Sequence, residues 1–171
     1  APSAAFLEQK LAGKEIDILK GEDIVRIEKS GMVHLKSGRA IDCDLVVFGK
    51  GVKPCVGLLE GSGVEVLNGI VVDSHMQTNV PDIFAAGDAV QTNDLASGES
   101  RVNALWPEAV EQGRVAALNM ASMPVEYRGS LSRNILRVFG VSILVVGAGR
   151  ADGPEVQIIQ DQNFYRKLVL D

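Results

Sequence analysis

The sequence predicts an α/β chain built from mixed sheets and an antiparallel meander, and three stretches carry that reading. Leu45-Val46-Val47-Phe48 is a continuous apolar run closed by Gly49-Lys50-Gly51, the pattern of a strand covered on both faces. Ile24 to Ile27, Met32 to Leu35 and Ala40-Ile41 are short strand-like runs separated by Ser30-Gly31 and Ser37-Gly38, where glycine accepts the positive φ that a tight turn needs. Pro107 opens a helical pattern carried by Ala109, Val110, Val115, Ala116, Leu118 and Asn119, and a proline at the first helical position sacrifices no hydrogen bond.

The remaining elements follow in chain order. From Ser3 to Leu11, the apolar residues Phe6, Leu7 and Leu11 fall at helical spacing, and Gly13 supplies a C-terminal stop. Ile16-Asp17-Ile18-Leu19 reads as a strand ahead of the meander. Past the Leu45 to Phe48 run, Ile70-Val71-Val72 and Ile83-Phe84-Ala85-Ala86 read as two more short strands, the second preceded by the turn Val80-Pro81-Asp82. Gln91 to Val102 is polar and reads as a connection. After Pro124, strand-like runs recur at Ile135 to Phe139, Ser142 to Val146, Val156 to Ile159 and Tyr165 to Leu170. A boundary falls near Met123, no internal repeat appears, and both ends read as cut: the first residues lead directly into a helical pattern and the last lies inside a strand-like run.

Composition narrows the function class. Hydrophobic residues make up 46% and charged residues 23% of the 171, values that suit a packed globular chain rather than a disordered one. A net charge of -5 lacks the concentrated basic face that nucleic acid or an anionic membrane surface requires. No run approaches the roughly 20 apolar residues that span a bilayer, and the first residues do not form a signal peptide, so the cytoplasm is the default location. Cys43 and Cys55 are too far apart for a Cys-x-x-Cys redox pair, and His34 and His75 form no metal-ligand set.

The segment from Thr78 to Asp88, Thr-Asn-Val-Pro-Asp-Ile-Phe-Ala-Ala-Gly-Asp, carries the strongest chemical signal. A strand that ends in Gly87-Asp88 delivers these residues to the edge where open α/β sheets bind ligands. Gly87 lets a ligand approach the backbone, and Asp88 offers a carboxylate that accepts hydrogen bonds from sugar-like hydroxyls. The segment resembles, over eleven residues in type and order, the second flavin-binding motif of the pyridine nucleotide-disulfide oxidoreductase superfamily, flavoproteins with two dinucleotide-binding domains. The resemblance implies that Asp88 binds the ribityl chain of FAD, with Gly87 and Ala89 lining the same path.

The resemblance extends on both sides. Asp44 to Pro54 is similar to the strand and glycine turn that leave the NAD-binding domain, which implies that Gly51 admits the nicotinamide, although Lys50 and Cys55 depart from the usual pattern. Leu105-Trp106-Pro107-Glu108-Ala109-Val110-Glu111-Gln112-Gly113 is similar to a helix start in rubredoxin and ferredoxin reductases and in NADH-dependent nitrite reductase flavoprotein domains. There the helix N-terminus faces the pyrimidine edge of the flavin, where its free N–H groups and about half a positive charge stabilise the reduced ring. Trp106 then packs on the isoalloxazine or, alternatively, anchors the helix in a core. From Tyr127 onward the chain resembles the start of the family's C-terminal interface domain.

The implied organisation is a tail of an NAD(P)-binding domain at 1–50, a portion of an FAD-binding domain at 51–123, and the beginning of an interface domain at 124–171. The implied function is hydride transfer from NAD(P)H to FAD and onward to a disulfide, oxygen or an electron-carrier protein, in a homodimeric parent protein. No acid, base or nucleophile of this segment is required. The alternative is a catalytically inert folded interface module, because the family's two phosphate-binding glycine loops are not in this sequence. Ser142 to Gly153 imitates such a loop, but Asp152 occupies the third glycine position and the strand-like Val156 to Ile159 follows in place of a helix, so it reads as a hairpin turn. Cys43 reads as core packing and Cys55 as an unreactive thiol.

Overall fold

The computed structural model describes residues 2–12, 14–147, 155–161 and 164–170. In chain order its elements are helix α1 (Pro2–Leu11), strands β1 (Ile24–Ile27), β2 (Met32–Leu35) and β3 (Ala40–Asp42), a 3₁₀ turn at Gly57–Leu59, strands β4 (Ile70–Val71), β5 (Val90–Asn93) and β6 (Ser100–Arg101), helix α2 (Trp106–Met120), and strands β7 (Arg133–Val138), β8 (Val141–Val146), β9 (Glu155–Gln160) and β10 (Tyr165–Leu170). Among the described residues these strands make small sheets ordered β1-β2-β3, β4-β5-β6, β7-β8 and β10-β9, a mixed α/β architecture as the sequence predicts. The chain divides into two compact units, Ala1–Gly51 with Val156–Leu170, and Val52–Glu155. Among the described residues no helix is long and apolar enough to cross a membrane.

In the first unit, the predicted meander forms. β2 pairs antiparallel with both neighbours, Val33 facing Ile27 on one side and Ile41 on the other, and the alternation of the strand buries Val33 and Leu35 while leaving His34 on the opposite face. His34 Nε2 lies 2.8 Å from Glu28 Oε1, a diagonal contact across the first hairpin beside its turn. Helix α1 sets Phe6 against Tyr165 of β10, ring centroids 5.9 Å apart, with the Lys10 ammonium 5.6 Å from the Phe6 ring centre.

Two predicted strands of this unit are absent. Residues 16–19 and 45–48 run outside any ladder, and Leu45 and Val47 are 77% and 80% exposed. Apolar character signals a need for cover, whereas a strand exists only when backbone partners lie alongside it, and no described residue pairs with either run. Cys43, read from the sequence as core packing at the start of a buried strand, is instead half-buried in an irregular segment, its Sγ 3.4 Å from the carbonyl of Gly31.

In the second unit, β4 and β5 are parallel neighbours with Ile70 opposite Val90, while β6 joins β5 antiparallel. Parallel neighbours require the chain to cross back, and the return from β4 to β5 is the stretch that contains Thr78 to Asp88. The core gathers Met76, Val90, Val115, Ala116 and Tyr127, with Ile70, Val72, Phe84, Ala85, Ala86 and Val125 packed around them. Helix α2 faces this core with Val115 and Ala116. The predicted strand at Ile83 to Ala86 contracts to one bridge between Phe84 and Gln77, because the loop around it satisfies its own backbone groups.

β6 and all of β5 but its first residue, Val90, lie inside the stretch the sequence presents as a polar connection. Buried Gln91 explains the difference: its Oε1 accepts the N–H groups of Asn68 (3.0 Å) and Gly69 (3.2 Å), and its Nε2 donates to Ser100 Oγ (3.1 Å). A polar side chain satisfied in this way can occupy a core-facing strand position, so the apolar alternation that marks a strand never appears. β7 and β8 form a six-pair hairpin closed by Phe139-Gly140, both at positive φ (48° and 78°), the two-residue turn whose twist matches that of the strands. The predicted turn at 148–153 lies outside the described residues.

Candidate functional site

The segment from Thr78 to Asp88 consists of a self-supporting loop followed by a delivery turn. Thr78 N–H donates to the Ile83 carbonyl (2.8 Å), Ile83 N–H to Val80 O (3.2 Å), and Ala85 N–H to Met76 O (3.0 Å), so Pro81 and Asp82 form a closed tip. Asn79 anchors the tip sideways, accepting Glu65 N–H at 2.7 Å and donating to Gly63 O at 2.9 Å. The chain then reaches Gly87 at φ 90°, a left-handed conformation that favours glycine, and Val90 N–H closes the turn onto Gly87 O at 3.0 Å. Ala89, half-buried, receives the Ile70 N–H on its carbonyl at 2.8 Å, which fixes the turn to β4.

The Gly87 turn rests on the first two turns of α2. A Cβ at Gly87 would stand 3.8 Å from Ala109 Cβ, and the Gly87 N–H donates to Gln112 Oε1 at 2.8 Å. The helix begins after Leu105, which is extended and supplies no side-chain cap, and Pro107 occupies its first turn. Its N-terminus thus retains unpaired N–H capacity beside the turn. Trp106 is 79% exposed, so it does not anchor the helix in this chain's core. Asp88 is exposed, and its carboxylate makes no hydrogen bond or ion pair with another described residue.

Behind this surface lies a buried polar chain. Gln112, 2% exposed, presents its Nε2 to the Tyr127 hydroxyl at 3.5 Å, and Tyr127 donates to Glu108 Oε2 at 2.6 Å. Arg133 Nη2 stands 3.7 Å from the other oxygen of Glu108. Burial, with the Glu108 hydrogen bond second, pushes the Tyr127 phenol up to about 12. Asn119 secures the far end of α2, donating to the carbonyls of His75 (3.0 Å) and Val125 (2.8 Å) and accepting Val125 N–H at 3.1 Å.

Of the six residues singled out from the sequence, Gly87, Asp88 and Ala89 sit together at one turn, and Trp106 and Pro107 begin the helix on which that turn packs. Gly51 belongs to the other unit, at φ 83° with open space where a Cβ would stand. Glu108, Gln112 and Tyr127 were not singled out. A signal existed for the first two, since Glu108 and Gln112 are four apart and share a helix face with Val115 and Ala116, an acidic and an amide residue at core-facing positions.

The model of the family "Pyridine nucleotide-disulphide oxidoreductase" matches residues 1–113. The NADH-dependent phenylglyoxylate dehydrogenase subunit epsilon of Aromatoleum evansii is 34% identical over 97% of this chain and 41% of its own length. The assimilatory nitrate reductase electron transfer subunit of Bacillus subtilis is 31% identical over 98% of this chain and 22% of its own length. Among solved structures, an FAD-dependent pyridine nucleotide-disulphide oxidoreductase from Desulfovibrio vulgaris superposes with a TM-score of 0.80 at 28% identity, covering 92% of this chain and 42% of that one. The chain thus spans well under half the length of these relatives. With the family model matching 113 of its 171 residues, the chain belongs to the pyridine nucleotide-disulphide oxidoreductase family.

Proposed function

We propose that this chain contributes the ribityl-facing and pyrimidine-facing part of a flavin site in an FAD-dependent NAD(P)H oxidoreductase. The observation that carries the reading is the seating of the Gly87-Asp88 turn on the first two turns of α2, a helix that starts without a side-chain cap, with Asp88 exposed. The residues suit FAD: Asp88 offers acceptors to the hydroxyls of a sugar-alcohol chain, the α2 N–H groups favour an electron-rich ring edge, and Trp106 offers an exposed aromatic face. When bound, the flavin supplies the redox chemistry, accepting hydride from NAD(P)H and passing electrons on. The chain's own residues bind and orient. Asp88 holds the polyol with Gly87 and Ala89 lining its path, Trp106 and Pro107 present the helix start, and Gly51 admits the nicotinamide.

The acceptor we assign is a disulfide, oxygen or an electron-carrier protein, and the electron transfer subunit of Bacillus subtilis among the relatives supports the last of these. We assign 1–50 to the end of an NAD(P)-binding domain, 51–123 to an FAD-binding domain and 124–171 to an interface domain of a cytoplasmic homodimer. A second reading applies to the 171 residues alone. Their sequence lacks both phosphate-binding glycine loops, so alone they are expected to act as a folded interface module that holds FAD weakly.

The test is protein expressed from the complete reading frame. It is expected to carry a flavin band near ~450 nm through gel filtration, and to lose that band on anaerobic addition of NADH or NADPH. Colourless protein that takes up no added FAD overturns the proposal.

A further inference from the structure

We propose that Gln112 is a positioning residue for the Gly87-Asp88 turn, held in its working orientation by a one-way relay through Tyr127 to Glu108; the inference rests on the flavin reading above. A primary amide is nearly symmetric in shape, so its partners decide which end faces which way. Here they leave one choice. A carboxylate only accepts, so Glu108 accepts the hydrogen bond that the Tyr127 phenol donates at 2.6 Å. The phenol oxygen then has lone pairs and no proton to offer Gln112, whose Nε2 must be the group that faces it at 3.5 Å. Oε1 is thereby turned to the Gly87 N–H at 2.8 Å.

The consequence falls on Asp88. The Gly87 N–H and the Val90 N–H to Gly87 O bond (3.0 Å) fix the two peptide planes that flank Gly87, and Asp88 projects from the second of them. If the amide were reversed, Nε2 would oppose the Gly87 N–H, and two donors in a half-buried site would force the turn open. The elevated phenol pKa keeps the proton on Tyr127 across the physiological range and so keeps the relay's direction constant. Gln112 is 25 residues from the glycine it serves and Tyr127 is 15 residues beyond Gln112, so the relay joins three segments of the second unit.

The test uses protein from the complete reading frame and two readouts, FAD dissociation measured by flavin fluorescence titration and exchange of the Gly87 amide measured without FAD. Gln112→Leu, which keeps volume and removes the acceptor, is expected to raise the FAD dissociation constant about tenfold and to accelerate Gly87 exchange by a similar factor. Tyr127→Phe and Glu108→Gln, which loosen the relay and leave the acceptor in place, are expected to move both readouts in the same direction by about threefold. They also serve should Gln112→Leu fail to fold. Val115→Ala, a core truncation of α2, is expected to lower the unfolding temperature while leaving FAD affinity within about twofold, the behaviour of a purely structural change. Unchanged Gly87 exchange in Gln112→Leu, or a Val115→Ala protein that loses FAD equally, overturns the positioning role. Accelerated exchange in a protein that binds no FAD at all upholds the role of Gln112 in the turn and overturns the flavin reading instead.

Discussion

Tyr127 donates a hydrogen bond to Glu108, faces Gln112 Nε2 and is buried in the core, which defines how it responds to pH. Its folded-state pKa, about 12, lies above the ordinary value of 10.0, so its contribution to stability is fully present below pH 10 and is lost as pH rises towards 12. Tyr127→Phe is therefore expected to flatten the fall in stability between pH 10 and 12, measured by urea unfolding across that range. Asp94 behaves in the opposite sense. Burial pushes its carboxyl up, but hydrogen bonds from Asn103, from Ser97 and from the Ala96 N–H outweigh burial and hold it below the ordinary 3.8. The stability it supplies is present above that value and is lost as pH falls below it. Asp94→Asn is expected to cost about 1–3 kcal/mol at pH 7 and less at pH 3, again by urea unfolding. Gly87 and Asp88 stood out in the sequence because their neighbours form a contiguous pattern, and the structure sets both at one turn against α2. The Gln112 relay was legible only in its Glu108–Gln112 pair, four apart on one helix face, because Gly87 and Tyr127 lie 25 and 15 residues from Gln112 and hydrogen-bond direction leaves no mark in a sequence.

At the scale of elements, α2 was the most readable, since its proline start and its apolar face are local signals. One position in it is suboptimal: Gly113 lies mid-helix, and a Cβ there meets nothing within 4 Å. Gly113→Ala is expected to stabilise the fold by about 0.5–1 kcal/mol, seen as a higher unfolding temperature. A lower temperature would mean that a neighbour approaches this face. The meander was readable for the same reason as α2, its turns and alternation being local. Leu45 to Phe48 misled because hydrophobicity reports the demand for cover and says nothing about which backbone provides a ladder. β5 escaped notice because its buried Gln91 satisfies the N–H groups of Asn68 and Gly69, a long-range solution that leaves no periodic trace.

At the scale of the molecule, the two compact units and the family match fit a chain that spans 41% of one relative and 22% of another. The 171 residues alone are expected to purify without colour, since charge-assisted phosphate contacts of about 1.5–3 kcal/mol each would be missing. The account as a whole turns on whether the Asp88 carboxylate holds the sugar-alcohol chain of a flavin. The most direct measurement is a fluorescence titration of FAD onto apoprotein from the complete reading frame, compared with its Asp88→Ala variant. Loss of one or two charge-assisted hydrogen bonds is expected to raise the dissociation constant about 10- to 100-fold with the unfolding temperature nearly unchanged. An Asp88→Ala protein that binds FAD within about twofold of the parent contradicts the account.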